Sequence, residues 1–439
     1  MIPFSILSGH LLSAGEKIQE VSILDVSRIG FTFRVPRQWQ KEWDMIELHV
    51  YCRKDGAYRI VVLHDVCCEI EQKTEFFILY RVECRQSDYK QVVTDFMTEY
   101  SQYISLKLAE DDGQLAQTLT GYPAHKDTVF ASNWDAQRRD WLSTVQPDAG
   151  WQAAGMHDMP ELAIALDRPE LWDNYLTMPI DDFLTWYWTS SGLQRHPIAK
   201  KQISCLYLGN AYCSKLFPAK REVYHMFKKA EREQLQLVLV TAMMRECEVE
   251  TARHWLNSLP NRYIEIVCND WGMLELVKQE GFVPVLGTLL NKRRKDVRLA
   301  YKTGMAAHQA QLRGTAVHAT FYREWLEQTY GVKTVSFETC GYITKLTPDA
   351  DVYAPFYQMN TAGHCTLYAA CHNGSRGRQT EEIDCPRYCR ERVFLYPDHL
   401  HMIGRYNSLF GADLRIFTDE AYRNDVFKQK PRRWIINML

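Results

Sequence analysis

The C-terminal half of the chain contains four short runs of β-type residues: ISCLYL at 203–208, LQLVLV at 235–240, YIEIV at 263–267 and VPVL at 283–286. The segments between these runs have helical composition. Strand and helix in alternation predict βα units around a parallel sheet. The intervening helices are expected near Lys220–Gln234, Val249–Leu256 and Trp271–Glu280.

About 240 residues follow this change of texture at Lys201, which suits a complete or modified (β/α) barrel. We therefore predict a (β/α) barrel-like domain over residues 201–439, with 203–208 as its first strand. In such barrels the functional site lies at the carboxyl ends of the strands. Five residues that follow predicted strands are the pocket candidates: Tyr212, Asn269, Asp270, Asn291 and Glu338.

The N-terminal part has a different pattern. Between residues 15 and 90, short β-type runs with alternating side chains recur about every ten residues, which predicts a small antiparallel β-barrel or sandwich. A helix is expected over Ser87–Leu108, and the acidic, glycine-terminated segment 109–113 marks a boundary. The predicted first domain is 1–110.

Residues 111–200 join the two parts. They are rich in tryptophan and tyrosine and are broken by prolines that include Pro147, Pro160, Pro169 and Pro179. So many aromatic side chains are costly to leave exposed. We interpret the segment as a connecting region of short helices packed against a neighbour. The expected fold is thus a multidomain α/β protein.

Composition limits the function. The chain has 52 basic and 54 acidic side chains and a net charge of −2, so no strong signal for nucleic-acid binding is present. No leader pattern and no apolar stretch of membrane-spanning length is found, and we expect a cytoplasmic protein without membrane insertion. Thirteen cysteines in such a chain favour thiols, metal ligands or catalysis over disulfides.

The C-terminal cysteines are the strongest chemical signal. Cys385 and Cys389 lie four positions apart in a polar loop, with Cys365 and Cys371 upstream and Cys213 after the first predicted barrel strand. Thiolates are soft ligands that suit zinc and iron–sulfur clusters, and spacing alone does not choose between these. The cysteines elsewhere in the chain are interpreted as reduced, partly buried thiols.

Three segments in the same order resemble the collagenase-like peptidase family, in its UbiU/UbiV-like branch. They are LYLGNAYCSK at 206–215, EIVCNDWG at 265–272, and HCT at 364–366 with DCPRYC at 384–389. The resemblance implies a barrel-like fold with a four-iron four-sulfur cluster. Its ligands would be Cys213, Cys365, Cys385 and Cys389; Cys371 is a rival for the second position, but Thr366 after Cys365 matches the family's context.

Members of this family are assigned to peptidase activity or to oxygen-independent hydroxylation of quinone precursors or RNA bases. We find no Ser/His/Asp or Cys/His set that would support a peptidase, and the catalytic residues remain unassigned. The resemblance implies a redox or hydroxylation role on an unidentified small-molecule or RNA substrate. It also implies a homologous partner subunit.

The N-terminal run Asp25-Val26-Ser27-Arg28-Ile29-Gly30 resembles the second signature of PilZ domains, which bind cyclic di-GMP. The resemblance implies a nucleotide site at Asp25, Ser27, Arg28 and Gly30, where Gly30 permits a tight turn. The arginine pair of that family is missing, because residues 1–24 contain no arginine. The resemblance nevertheless gives an alternative function, a cyclic di-GMP receptor or adaptor with a non-catalytic barrel.

Overall fold

A computed structural model describes residues 7–37, 39, 42–52, 57–64, 66–108, 130–143, 145–152, 159–294, 309–374, 380–395 and 401–439. The chain divides into two compact units, residues 1–124 with 298–312 and residues 125–297 with 313–439. The segment 109–113, predicted as a domain boundary, lies outside the described residues. Among the described helices, none is both long and apolar enough to cross a membrane.

The first unit contains a seven-stranded antiparallel sheet in the order β5-β4-β1-β2-β3-β7-β6. The predicted antiparallel strands are confirmed. Within the described residues the edges β5 and β6 are not joined by a ladder, and closure into a barrel stays a prediction. The elements are β1 Leu7–Ser13, β2 Glu16–Ser27, β3 Gly30–Pro36, β4 Met45–Cys52, β5 Ala57–His64, β6 Cys67–Lys73, β7 Phe77–Glu83 and α1 Ser87–Leu108.

Alternation along the strands builds the core of this unit. Phe31, Phe33 and Val35 on β3 are buried, while Arg34 between them is exposed, as expected for side chains that point alternately to the two faces of a sheet. Helix α1 contributes buried Tyr89 and Val93 to the same core. This spacing of four residues places both on one helix face.

The second unit is a closed barrel of eight parallel strands, which confirms the predicted barrel-like architecture. Around the ring the order is β8-β9-β10-β11-β12-β13-β14-β18, and β18 pairs with β8 to close it. These strands are β8 Glu161–Leu166, β9 Ile203–Leu208, β10 Gln236–Val240, β11 Glu265–Cys268, β12 Val283–Leu286, β13 Thr334–Glu338, β14 Ala350–Thr361 and β18 Arg433–Asn437.

The first barrel strand is β8, not the run at 203–208, so the expected boundary at 200/201 falls inside the barrel. β8 is the buried run ELAIAL, and it lies in the stretch for which only short helices were expected. A continuous apolar run of this length fits a buried strand or a helix segment equally well. The helices predicted for that stretch are present at Pro169–Thr177 and Ile180–Ser191.

The remaining elements connect and extend the barrel. β14 continues beyond the ring and pairs antiparallel with β17. With β15 Phe394–Leu395, β16 Met402–Arg405 and β17 Ser408–Ala412 it forms an antiparallel extension. The other helices are α2 Phe130–Ser143, α3 Ala149–Gln152, α4 Pro169–Thr177, α5 Ile180–Ser191, α6 Lys220–Arg232, α7 Val249–Leu256, α8 Trp271–Gln279, α9 Gln309–Leu312, α10 Thr320–Tyr330, α11 Thr366–Asn373, α12 Arg415–Thr418 and α13 Glu420–Phe427.

An ion network closes the end of the barrel where the strands begin. Arg433 donates to Glu265 at 2.8 Å and to the Tyr207 hydroxyl at 3.2 Å. Arg432 binds Glu265 at 2.7 and 2.8 Å and Asp351 at 2.7 and 2.9 Å. Burial acts to raise the pKa of Glu265, but the two guanidinium groups lower it overall. The network therefore holds an ionised carboxylate between two strands that are far apart in sequence.

We predict that Arg433→Met lowers the free energy of unfolding of the second unit by about 3–5 kcal/mol, because the substitution leaves Glu265 with one guanidinium fewer in a buried site. Urea unfolding followed by tryptophan fluorescence measures the change. The control is Arg221→Met on the exposed face of α6, which should change stability by less than about 0.5 kcal/mol. Equal losses for the two variants would show that the network does not stabilise the barrel.

Candidate metal centre

Four cysteines from three separate segments line one cavity of about 240 Å³, called here the cysteine cavity. Cys213 follows strand β9, Cys365 precedes helix α11, and Cys385 and Cys389 belong to the polar loop after it. These are the four residues that the sequence analysis predicted as ligands. The structure brings them together beside the carboxyl end of β9.

A tight turn positions Cys213. The side-chain oxygen of Asn210 accepts hydrogen bonds from the backbone N–H groups of Tyr212 and Cys213, both at 2.9 Å, and its amide donates to the Asp167 carbonyl at 3.0 Å. Gly209 precedes it at φ +117°, where a Cβ would lie 2.2 Å from the Val240 carbonyl oxygen. Only glycine fits this close approach. The sequence analysis did not select Asn210 as a site residue.

Cys365 caps helix α11. Its sulfur accepts the Tyr368 N–H at 3.3 Å, and its thiol lies 3.2 Å from the Tyr406 carbonyl oxygen. The backbone N–H of Cys365 donates to Glu382. A helix N-terminus favours negative charge, so this position suits a thiolate.

Cys389 is held in a short 3₁₀ turn, Tyr388–Arg390, that follows Arg387 in the left-handed region at φ 61°. The guanidinium of Arg405 donates to the Cys389 carbonyl at 3.1 Å. Cys385 is half-buried at the start of the same loop segment. The loop therefore turns sharply enough for both thiols to face one cavity.

Burial governs the protonation of these thiols. It raises the pKa of Cys213 to about 11 and the pKa of Cys389 to about 12, and it raises the pKa of Cys365 well above the ordinary value. Neighbouring sulfurs add to the shift, as Cys385 does for Cys213. Four thiolates at this site need a compensating positive centre, which a bound metal supplies while displacing the protons.

The four sulfurs are not closely grouped. A tetrahedral zinc with Zn–S bonds of about 2.3 Å places its sulfurs about 3.8 Å apart. Across the described part of the chain, no three of these four sulfurs lie within 4.8 Å of one another. The set is therefore more open than the sulfurs around a bound zinc ion.

Cys371, the rival to Cys365, does not line the cysteine cavity. It is 1% exposed, and its sulfur lies 3.8 Å from the Arg392 guanidinium. Cys205 and Cys268 belong to the buried barrel strands. Of the two rivals, Cys365 is therefore the one that lines the cavity with Cys213, Cys385 and Cys389.

The cavity opens between polar and apolar side chains that the sequence analysis missed. Met243, Met244 and Arg245 follow strand β10, and Arg245 pairs with Glu382 and, at 2.9 Å, with Glu381. The strand-end rule that selected Tyr212 applies equally to this loop. Further new lining residues include Lys215, Tyr368, Arg387, Tyr388 and Asn407.

Two of the five predicted pocket residues line a cavity. Tyr212 borders the cysteine cavity and also a smaller one of about 40 Å³ at the carboxyl ends of the strands, which Asn269 lines as well. The amide of Asn269 also donates to the Thr241 carbonyl at 2.8 Å. It therefore ties together the loops at this end of the barrel.

The other three predicted pocket residues line neither of these cavities. Asp270 caps α8 through the Met273 N–H at 2.8 Å, and Asn291 donates to a carbonyl of β13 at 3.1 Å. Glu338 forms a buried ion pair with Arg293 at 3.0 Å. In the structure these three side chains therefore act as a cap or as cross-links, and a pocket role for them stays a prediction.

The residues predicted to bind cyclic di-GMP form the turn between β2 and β3. The Ser27 hydroxyl donates to the Gly30 carbonyl at 3.0 Å, and Arg28 lies in the turn between them. A Cβ on Gly30 would lie 2.0 Å from the Val82 carbonyl oxygen, so glycine is required by strand packing. Asp25 pairs with Thr32 across the ladder. Nucleotide binding by this turn stays a prediction.

The cysteine cavity brings together four sulfur atoms of the kind that bind metal ions. The chemistry of the cavity is inferred from its lining residues. Membership in the collagenase-like peptidase family stays a prediction. No protein-family model, curated protein or solved structure matches the chain.

Proposed function

We propose that the barrel unit binds a four-iron four-sulfur cluster through Cys213, Cys365, Cys385 and Cys389, and that the protein acts in redox chemistry. The observation that carries the proposal is the convergence of four cysteines from three segments, one buried and three half-buried, on one cavity. All four donors are thiols, the ligand type by which proteins hold iron–sulfur clusters. Such a cluster supplies one-electron transfer when bound.

The surrounding groups suit an anionic centre. Backbone N–H groups of Lys215 and Leu216 point at the Cys213 sulfur, and that of Tyr368 points at Cys365. Hydrogen bonds to the sulfurs and nearby positive charge raise the reduction potential of a cluster. The Arg405 side chain, which acts to lower the pKa of Cys389, contributes in the same direction.

The open side of the cysteine cavity supports a small substrate next to the cluster. Met243, Met244 and Tyr388 offer apolar and aromatic contacts, while Arg387 offers positive charge; Arg245 is already paired with Glu381 and Glu382. This combination fits a flat, apolar molecule with an anionic group. We propose a redox reaction on such a substrate, with oxygen-independent hydroxylation as the reaction class.

The first prediction concerns the cluster. Full-length protein purified without oxygen should be brown and contain about four irons and four sulfides per chain. Cys365→Ala should remove the colour and most of the iron, because one ligand is lost. Visible absorption with iron and sulfide analysis measures both.

The matched control is Cys371→Ala, a buried cysteine of the same helix that lies outside the cavity. It should keep the full iron and sulfide content. Colourless, iron-free wild-type protein would contradict the proposal, and so would equal loss of iron in the two variants.

The second prediction concerns Asn210. Asn210→Ala removes the acceptor that holds the N–H groups of Tyr212 and Cys213. We expect the cluster to bleach about tenfold faster in the presence of a chelator, which is the size of effect typical of residues that orient metal ligands. Circular dichroism should remain that of the folded protein.

Asn261→Ala is the control for this experiment. Asn261 makes a similar turn, through the Tyr263 N–H at 2.9 Å, on an exposed loop away from the cavity. It should bleach at the wild-type rate. If Asn210→Ala also bleached at that rate, the turn would not matter for holding Cys213.

A further inference from the structure

A second group of metal-type side chains lies in the sheet of the first unit. His10 on β1 pairs in register with Glu47 on β4, and His49 is two residues further along β4. Residues two apart on a strand share a face, and cross-strand partners share it too. The ligand atoms of the three residues all lie within 4.8 Å of one another.

The three side chains are shielded from water. Glu47 and His49 are only 12% and 16% exposed, and they contact each other through a hydrogen bond. The rings of His10 and His49 meet edge to face with centroids 4.7 Å apart. Nδ1 of His10 is buried, and the described residues give it no hydrogen-bond partner. A buried ring nitrogen without a partner is costly, and a metal ion would satisfy it.

A cation already occupies this position. The ammonium of Lys17 on β2 lies 2.5 Å from a Glu47 carboxylate oxygen and 3.3 Å from Nε2 of His49. The Lys17 side chain is 48% exposed, and its flexible stem allows it to swing into solvent. The site therefore binds a positive charge, and the lysine that supplies this charge can be displaced.

We propose that His10, Glu47 and His49 form a binding site for a divalent transition-metal ion such as Zn²⁺, with Lys17 as the internal competitor. Two imidazoles and one carboxylate are a common donor set for Zn²⁺ and leave a fourth position for water. A bound ion would tie β1 to β4 within the sheet. This site is independent of the cysteines of the second unit.

Calorimetric titration of the full-length, cluster-loaded protein with Zn²⁺ tests the proposal. One zinc equivalent should be lost in His10→Ala and in His49→Ala. It should be retained in His64→Ala, an exposed histidine of β5. Unchanged zinc stoichiometry in both ligand variants would overturn the proposal.

Lys17→Met provides a test that does not depend on a destabilising substitution. Removing the competing ammonium should tighten Zn²⁺ binding about tenfold or more, because a unit charge a few ångströms from the metal position is lost. Zinc should also raise the melting temperature of the wild type and of Lys17→Met, but not of His49→Ala. Unchanged or weaker zinc binding in Lys17→Met would also overturn the proposal.

Discussion

Closure of eight parallel strands into a ring is the constraint on which the rest of the second unit depends. Parallel neighbours cannot be joined by a tight hairpin, so each strand is followed by a crossover, and all carboxyl ends meet at the same end of the barrel. The strand Arg433–Asn437 completes the ring by pairing with β14 on one side and β8 on the other. The loops after β9 and β10 thereby become neighbours.

The positions of the four cysteines follow from the parallel barrel and from one segment that departs from its pattern. Cys213 belongs to a strand-end loop, as the parallel barrel dictates. The other three thiols come from the segment after β14. Strand β14 itself runs past the ring and pairs antiparallel with β17. That extension leads directly to the cap of α11 at Cys365 and to the loop of Cys385 and Cys389. The barrel thus positions one of the four cysteines, and the segment after β14 supplies the other three.

Part of the fold and part of the candidate site could be predicted from the sequence. The reasons for success or failure differ from residue to residue. The rhythm of runs at 203–286 predicted the barrel because period and spacing are local properties. β8 was missed because an apolar run of six among tryptophans and prolines has no period of its own. The sequence pattern shows that Asp270 and Glu338 follow strands. It does not show what their side chains contact, so it cannot separate a pocket residue from a cap or a cross-link. The His10, Glu47 and His49 group depends on the register of β1 against β4, which no single strand reveals.

The central claim is that four cysteines of the barrel unit hold one iron–sulfur cluster. Anomalous X-ray diffraction at the iron edge, from crystals of the full chain grown without oxygen, tests it most directly. We predict a strong iron peak inside the cysteine cavity, bonded to the sulfurs of Cys213, Cys365, Cys385 and Cys389. A cavity without iron signal, or a peak that appears only at the zinc edge, would contradict it.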